Sequence, residues 1–183
     1  MNSASAFASY SFRSPTLSIL PLLNSSNPNP QQKLEILVSE FKSLREPIVR
    51  VKQLIHYASL LPELEESVRV ESNRVTGCTA QVWLEVVMEV DGTMRFRADS
   101  DSEIAKGFCY CLIWFLDGAA AGDVIEIRVD DLGEMNIGIL AIRTSSRVNT
   151  WHNLLLSMQR RTRDLIIPLF LPPLAALISN VDH

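Results

Sequence analysis

Cysteine is scarce, with only Cys78, Cys109 and Cys111 among 183 residues. Small secreted scaffolds need paired cysteines to replace a core they cannot build. A chain of this length buries enough surface without them, so a reducing compartment is the default. Basic charge is in deficit, 17 Lys+Arg against 21 Asp+Glu for a net charge of −4. No positive field is available for sequence-independent phosphate binding, and a nucleic-acid partner is not expected. The longest uncharged apolar run near the C-terminus, Leu165 to Ile178, has 14 residues and contains Pro168, Pro172 and Pro173. A bilayer span takes roughly 20 apolar residues, so no membrane association through a spanning helix is expected either. Neither a GxGxxG fingerprint nor a P-loop is present, and no nucleotide cofactor is implied.

Acidic residues are absent from Met1 to Gln32, which holds eight serines and a single basic residue, Arg13. Transit peptides are Ser-rich and acid-poor, whereas a secretory signal places a continuous apolar stretch behind a basic start. Here Ser3, Ser5, Ser9, Ser11 and Ser14 break the apolar pieces. One arginine suits a plastid address, the chloroplast stroma, better than a mitochondrial presequence with its several arginines. Residues 1–32 are therefore read as a transit peptide, 33–163 as the folded domain, and 164–183 as an apolar, Pro-containing tail of unknown role. From Lys33 onward 16 basic and 21 acidic residues leave the domain near −5.

Two helices open the domain. Leu34, Leu37, Val38, Phe41 and Leu44 recur at helical spacing behind Asn29 as cap and Pro30 as first residue. A second helix starts at Pro47, with Ile48, Val51, Leu54, Ile55 and Ala58 on one stripe, and Pro62 closes it. Residues 81–90 then alternate: Val82, Leu84, Val86, Met88 and Val90 share one face of a half-buried strand. A three-residue loop, Asp91 to Thr93, pairs Val90 with Met94 and Met88 with Phe96, and sets Glu89 opposite Arg95. Ser100-Asp101-Ser102-Glu103 reads as a capping box opening a helix that runs to about Asp117 before Gly118. That helix is apolar on every side from Gly107 to Leu116 and is expected at the centre of the fold. Val124 to Val129 alternates like a short strand. Ser145 or Ser146 can cap a last helix carrying Val148, Trp151, Leu154, Leu155 and Met158, its end marked by Arg160, Arg161 and Arg163. The architecture is α+β, a meander sheet with helices packed on one face.

One segment departs from this scaffold, Asn73 to Trp83, where Cys78 follows Gly77 between a polar connector and a strand. Glycine opens backbone conformations closed to other residues, so a tight turn can present the Cys78 thiol to a partner. Cys109 and Cys111 lie two apart on the apolar helix, about 200° around it, and behave as small buried hydrophobes pointing opposite ways. A metal site needs three or four converging ligands, and none is expected here. A thiol hydrolase would require His56 or His152 to fold back onto Cys78. A buried, inert Cys78 is the remaining alternative.

The stretch Leu61-Pro62-Glu63-Leu64, the block Asn73-Arg74-Val75-x-Gly77-Cys78-x-x-Gln81-Val82-Trp83, then Asp91-Gly92, Asp99-Ser100-Asp101 and Lys106-Gly107 together resemble the SufE family of sulfur-acceptor proteins. The resemblance runs from Lys33 to about Gln159. It implies a SufE/NifU-like α+β fold, a three-stranded antiparallel sheet with helices on one face and Asn73 to Thr76 as its first strand. It also implies that Val124 to Val129 is helical or irregular. On the same basis Cys78 is the persulfide carrier, supported by Gly77, with Arg74 and Arg147 as candidate positive neighbours. Ser146-Arg147 resembles a family signature, although Thr150 stands where the family usually has glycine. The implied partners are a pyridoxal-phosphate-dependent cysteine desulfurase, which the protein stimulates, and an iron–sulfur scaffold complex, with no independent turnover. A NifU/IscU-type cluster scaffold and a non-catalytic interaction module are the alternatives, and mitochondrion is the alternative location.

Overall fold

A computed structural model describes residues 28–135 and 145–170. Most of the expected transit peptide and the end of the apolar tail lie outside the described residues. Helix α1 spans Pro30–Ser43 and begins as its sequence predicts. Asn29 Oδ1 accepts from the Gln32 N–H at 2.8 Å while Gln32 Oε1 accepts from the Asn29 N–H at 3.0 Å, a reciprocal cap. Helix α2, Pro47–Ala58, buries Leu54, Tyr57 and Ala58. Its expected stripe is rotated, since Ile48 and Ile55 are exposed and Tyr57 is buried. The polar end of Tyr57 explains this: its hydroxyl donates to the Glu40 carboxylate of α1 at 2.7 Å while its ring stacks on Tyr110 with centroids 5.2 Å apart.

Two antiparallel strands follow, β1 (Val82–Met88) and β2 (Met94–Ser100), with Met88 opposite Met94 and Val86 opposite Phe96. The expected parity holds, so the apolar residues of the two strands share a face. The register is displaced by two residues from the expected pairing of Val90 with Met94. The loop is Val90 to Gly92: the Gly92 N–H donates to the Glu89 carbonyl, Gly92 has φ +84°, and the Glu89 N–H pairs with Thr93 at 2.8 Å. Asp91 Oδ1 accepts from both the N–H and the hydroxyl of Thr93, which locks a turn ending in a left-handed glycine. Val90 is consequently fully exposed rather than paired. Glu89 still meets Arg95 diagonally, at 3.6 Å.

A third strand over Asn73 to Thr76 does not form among the described residues. Glu71–Asn73 is a short 3-10 turn, Thr76 already begins the next turn, and only Arg74 bridges Trp83, with the Val75 N–H on the Val82 carbonyl at 2.8 Å. The next carbonyl on that edge of β1, that of Leu84, accepts instead from the guanidinium of Arg161, which also donates to the carbonyls of Ser72 and Arg74 at 3.2 Å each. One arginine side chain thus does the edge pairing that more strand residues would do. Arg161 belongs to the last helix, α5, which spans Ser145–Phe170 and does not end at the arginines as its sequence suggested.

Helix α3, Glu103–Leu116, is the centre of the molecule. Its cap is Ser102 rather than Ser100, because Ser100 closes β2 and its hydroxyl donates to the Gln81 carbonyl at 2.6 Å. Helices α1, α2 and α5 and strand β2 all pack on α3. Phe108, Cys109, Cys111, Leu112, Phe115 and Leu116 are buried. Trp151 of α5 lies against Phe108, ring centroids 4.2 Å apart, and meets Phe41 of α1 edge-on. Residues 124–129 are not a strand: Ala121–Glu126 forms helix α4, and Gln159 of α5 donates its side-chain N–H groups to the carbonyls of Val124, Ile125 and Ile127. No helix among the described residues is long and apolar enough to cross a membrane.

The approach of α2 to α3 depends on Gly107. A Cβ built there would lie 2.3 Å from the Leu54 carbonyl oxygen, backbone that cannot move aside. Gly107→Ala should therefore cost about 1–3 kcal/mol in urea denaturation although alanine is the better helix former. Gly122→Ala in α4, where the added methyl meets open space, should instead stabilise by up to about 1 kcal/mol.

Candidate functional site

Cys78 lies on the loop, residues 76–80, that joins the Arg74 bridge to β1. Both flanks are tied down, Val75 to Val82 on one side and Gln81 on the other. The Gln81 N–H donates to Asp101 Oδ1 at 2.9 Å and its carbonyl accepts from Ser100 Oγ. Between them Gly77 turns the chain with φ +82°, the left-handed region that a side chain disfavours. Space forbids a side chain there as well, since a Cβ would fall 2.8 Å from Asn153 Nδ2.

The turn directs Cys78 inward. Its thiol is half-buried and packs against the core cluster. Burial pushes the thiol above the ordinary cysteine value, and hydrogen bonds from Asn153 and Thr150 of α5 oppose that shift. Beside it opens a groove of about 310 Å³ lined by Thr79, Ala80, Asp101, Ala105, Phe108 and Thr150. The loop that carries the thiol therefore borders a partly apolar recess through Thr79 and Ala80.

Of the residues singled out in the sequence, Gly77 and Cys78 are together on the loop. The Arg74 guanidinium faces Glu71, 3.5 Å away, rather than the thiol. Arg147 is on the first turn of α5, and its side chain lies outside the described residues. His56 is beside Tyr57 on α2 and His152 is exposed on α5; the thiol's side-chain partners are Asn153 and Thr150 instead. Asn153 escaped the sequence reading, and Thr150 entered it only as a departure from a family pattern. Their signal was faint: two polar residues three apart flanking the buried Trp151. The sequence places Arg161 at a helix end; its guanidinium is instead drawn onto three backbone carbonyls, and burial lowers its pKa.

Fold and site together describe a small α+β domain that presents one cysteine on a glycine turn and keeps its other two in the core. The family model of SufE, the Fe-S metabolism associated domain, matches residues 35–162. The chain belongs to the SufE family. It is 62% identical over 134 residues to the SufE-like protein 2, chloroplastic, of Arabidopsis thaliana, covering 73% of this chain and 52% of that protein. It is 52% identical over 164 residues to the chloroplastic quinolinate synthase of the same plant, covering 90% of this chain and 21% of that protein. The chain thus spans about half the length of the first relative and about a fifth of the second. A solution structure of a hypothetical protein from Thermus thermophilus shares the fold, with TM-score 0.59, 24% identity, and coverage of 73% of this chain and 96% of that one.

The two core thiols set a pH dependence. Cys109 and Cys111 are fully buried, and desolvation holds both far above the usual thiol range. Above about pH 8.5 the unfolded chain ionises these thiols while the folded chain keeps them protonated, so the unfolded state binds fewer protons. Stability is then fully present below that pH and falls above it, by up to about 1.4 kcal/mol per pH unit for each thiol. Urea denaturation from pH 7 to 10 should show this slope. The double substitution Cys109→Ala with Cys111→Ala should flatten it while lowering stability at pH 7 through lost packing.

Proposed function

We propose that the protein is a sulfur acceptor that takes sulfane sulfur from a pyridoxal-phosphate-dependent cysteine desulfurase, carries it as a persulfide on Cys78, and delivers it to an iron–sulfur assembly scaffold. The observation that carries this reading is the contrast among the thiols. Cys78 alone is on a turn at the surface of the core, whereas Cys109 and Cys111 have no exposed surface. Membership in a family associated with Fe–S metabolism supports it.

The transfer balances with one thiol. The Cys78 thiolate attacks the outer sulfur of the donor persulfide, a new S–S bond forms, the donor's S–S bond breaks, and the donor sulfur leaves as thiolate. The proton lost from Cys78 matches the one the leaving thiolate can take. At rest the buried thiol is mostly protonated and therefore a poor nucleophile. Once ionised it is a strong one, because nucleophilicity rises with thiol pKa. Activation then belongs to the docked state, where the loop turns out and the partner's site replaces the apolar surroundings. The same burial keeps a loaded persulfide from small reductants. A cluster scaffold would need Cys109 and Cys111 as ligands beside Cys78, and both are fully buried in α3.

The site of action we infer is the chloroplast stroma. The acid-free, Ser-rich composition of residues 1–32 supports this, and the two plant relatives described above are named as chloroplastic. A fluorescent protein carrying residues 1–32 should enter plastids in leaf cells; retention in the cytosol or delivery to mitochondria would remove this part of the reading.

The decisive experiment is intact mass after incubation with a cysteine desulfurase and cysteine. The wild-type chain should gain the mass of one sulfur, reversed by a thiol reductant. Cys78→Ser should gain none and should no longer stimulate the desulfurase, at a stability cost of no more than about 1 kcal/mol. The Cys109→Ala, Cys111→Ala chain should still load in the fraction that folds. Loading of Cys78→Ser at the wild-type rate would end the assignment.

A further inference from the structure

The loop bearing Cys78 is fastened to the rest of the molecule in an unequal way. Its flanks are held by the sheet and by Asp101. Its tip is held from a helix 76 residues further along the chain, where Asn153 Nδ2 donates to the Gly77 carbonyl at 2.8 Å. Gly77 packs directly against that amide, since a Cβ there would lie 2.8 Å from Asn153 Nδ2, and Asn153 is among the groups that oppose the upward shift of the Cys78 thiol. Three residues earlier on α5, the buried Thr150 lines the groove that opens beside Thr79 and Ala80 of the same loop. The two residues differ in exposure. Asn153 is partly open to solvent, so water or a docking protein can compete for its amide, whereas Thr150 is closed off.

We propose that Asn153 is the latch that keeps the Cys78 loop turned inward. Opening then consists of one exchange, in which the Gly77 carbonyl passes from the Asn153 amide to water or to a donor on the docked protein. The tied flanks confine the motion to residues 76–80. Gly77, with no side chain to obstruct a change of backbone conformation, is the hinge for it. The consequence for sulfur delivery rests on the persulfide reading, but the latch itself does not.

The groups that bear on the ionisation of Cys78 are the Asn153 and Thr150 side chains of α5, and the Cys78 and Cys109 thiols bear on one another; Arg74, in the preceding segment, is paired with Glu71. The probe is iodoacetamide, with the labelled cysteine identified by peptide mass. For Asn153→Asp and Asn153→Ala, which cannot donate to Gly77, the limiting alkylation rate of Cys78 at high pH should rise about tenfold, the effect of losing one or two hydrogen bonds from the closed state. Thr150→Val, which leaves the Asn153–Gly77 hydrogen bond in place, is the control, and its limiting rate should stay within about twofold of wild type. Thermal melting identifies any variant that has simply unfolded, which would also expose Cys109 and Cys111 to label; Asn153→Ala and Asn153→Asp serve as each other's control. An unchanged limiting rate in both folded Asn153 variants overturns the latch. A rise of about tenfold in folded Thr150→Val as well overturns the assignment of the latch to Asn153. Absence of sulfur on wild-type Cys78 after incubation with a desulfurase would overturn the persulfide reading and leave the alkylation results standing.

Discussion

The fold depends on the burial of α3, whose Phe108, Cys109, Cys111, Leu112, Phe115 and Leu116 are buried while Tyr110, Ile113 and Trp114 on its remaining face are half-buried. A helix with no polar face must be covered by several elements at once, and α1, α2, α5 and β2 supply the cover. The approach of α2 is set by a hydrogen atom: Gly107 lets its backbone come nearer than any side chain would permit. With α2 against one side of α3, the remaining sides receive the sheet and α5, and their positions are constrained by what is already there.

The candidate site is a by-product of that arrangement. Trp151 packs on Phe108 and so fixes the rotation of α5 about its axis. Given that rotation, Thr150 and Asn153 on its neighbouring face come up against the Cys78 loop. Further along the same helix, Gln159 caps α4 and Arg161 holds the edge of β1 together with the segment leading into the loop. One helix thereby positions the thiol, the turn that bears it and the strand that follows. Damage to the α3–α5 contact would be felt at Cys78 through the displaced Thr150 and Asn153.

On the sulfur-carrier role proposed above, the state of the thiol answers two demands that burial sets in opposition. A carrier exposed to solvent would ionise readily and lose its cargo to small thiols; a carrier sealed in the core would be safe and unreachable. Half-burial against apolar residues, with two neutral hydrogen-bonding side chains, keeps the sulfur protonated while leaving a route out through a glycine turn. Cys109 and Cys111 show the sealed extreme within the same molecule.

Much of this was legible in the residues themselves. The capped start of α1, the all-round apolar α3, the shared face of the two strands and the glycine before Cys78 are local features, dictated by periodicity, cap chemistry and backbone sterics. What the sequence left undecided was whatever depended on contacts distant in the chain. The parity of the hairpin was readable, but its register was set by the Val90–Gly92 loop that Asp91 and the left-handed Gly92 close. The third strand was expected from resemblance and was forestalled by Arg161, whose side chain reaches the carbonyl of Ser72 from 89 residues away. The exposed Ile48 and Ile55 and the inward Tyr57 show hydrophobic spacing overruled by a hydrogen bond to Glu40. Asn153 and Thr150 were hardest to see, because a polar residue on a helix is by default a solvated one. Only the docking of α5 across α3, a matter of tertiary packing, turns those two toward the sulfur.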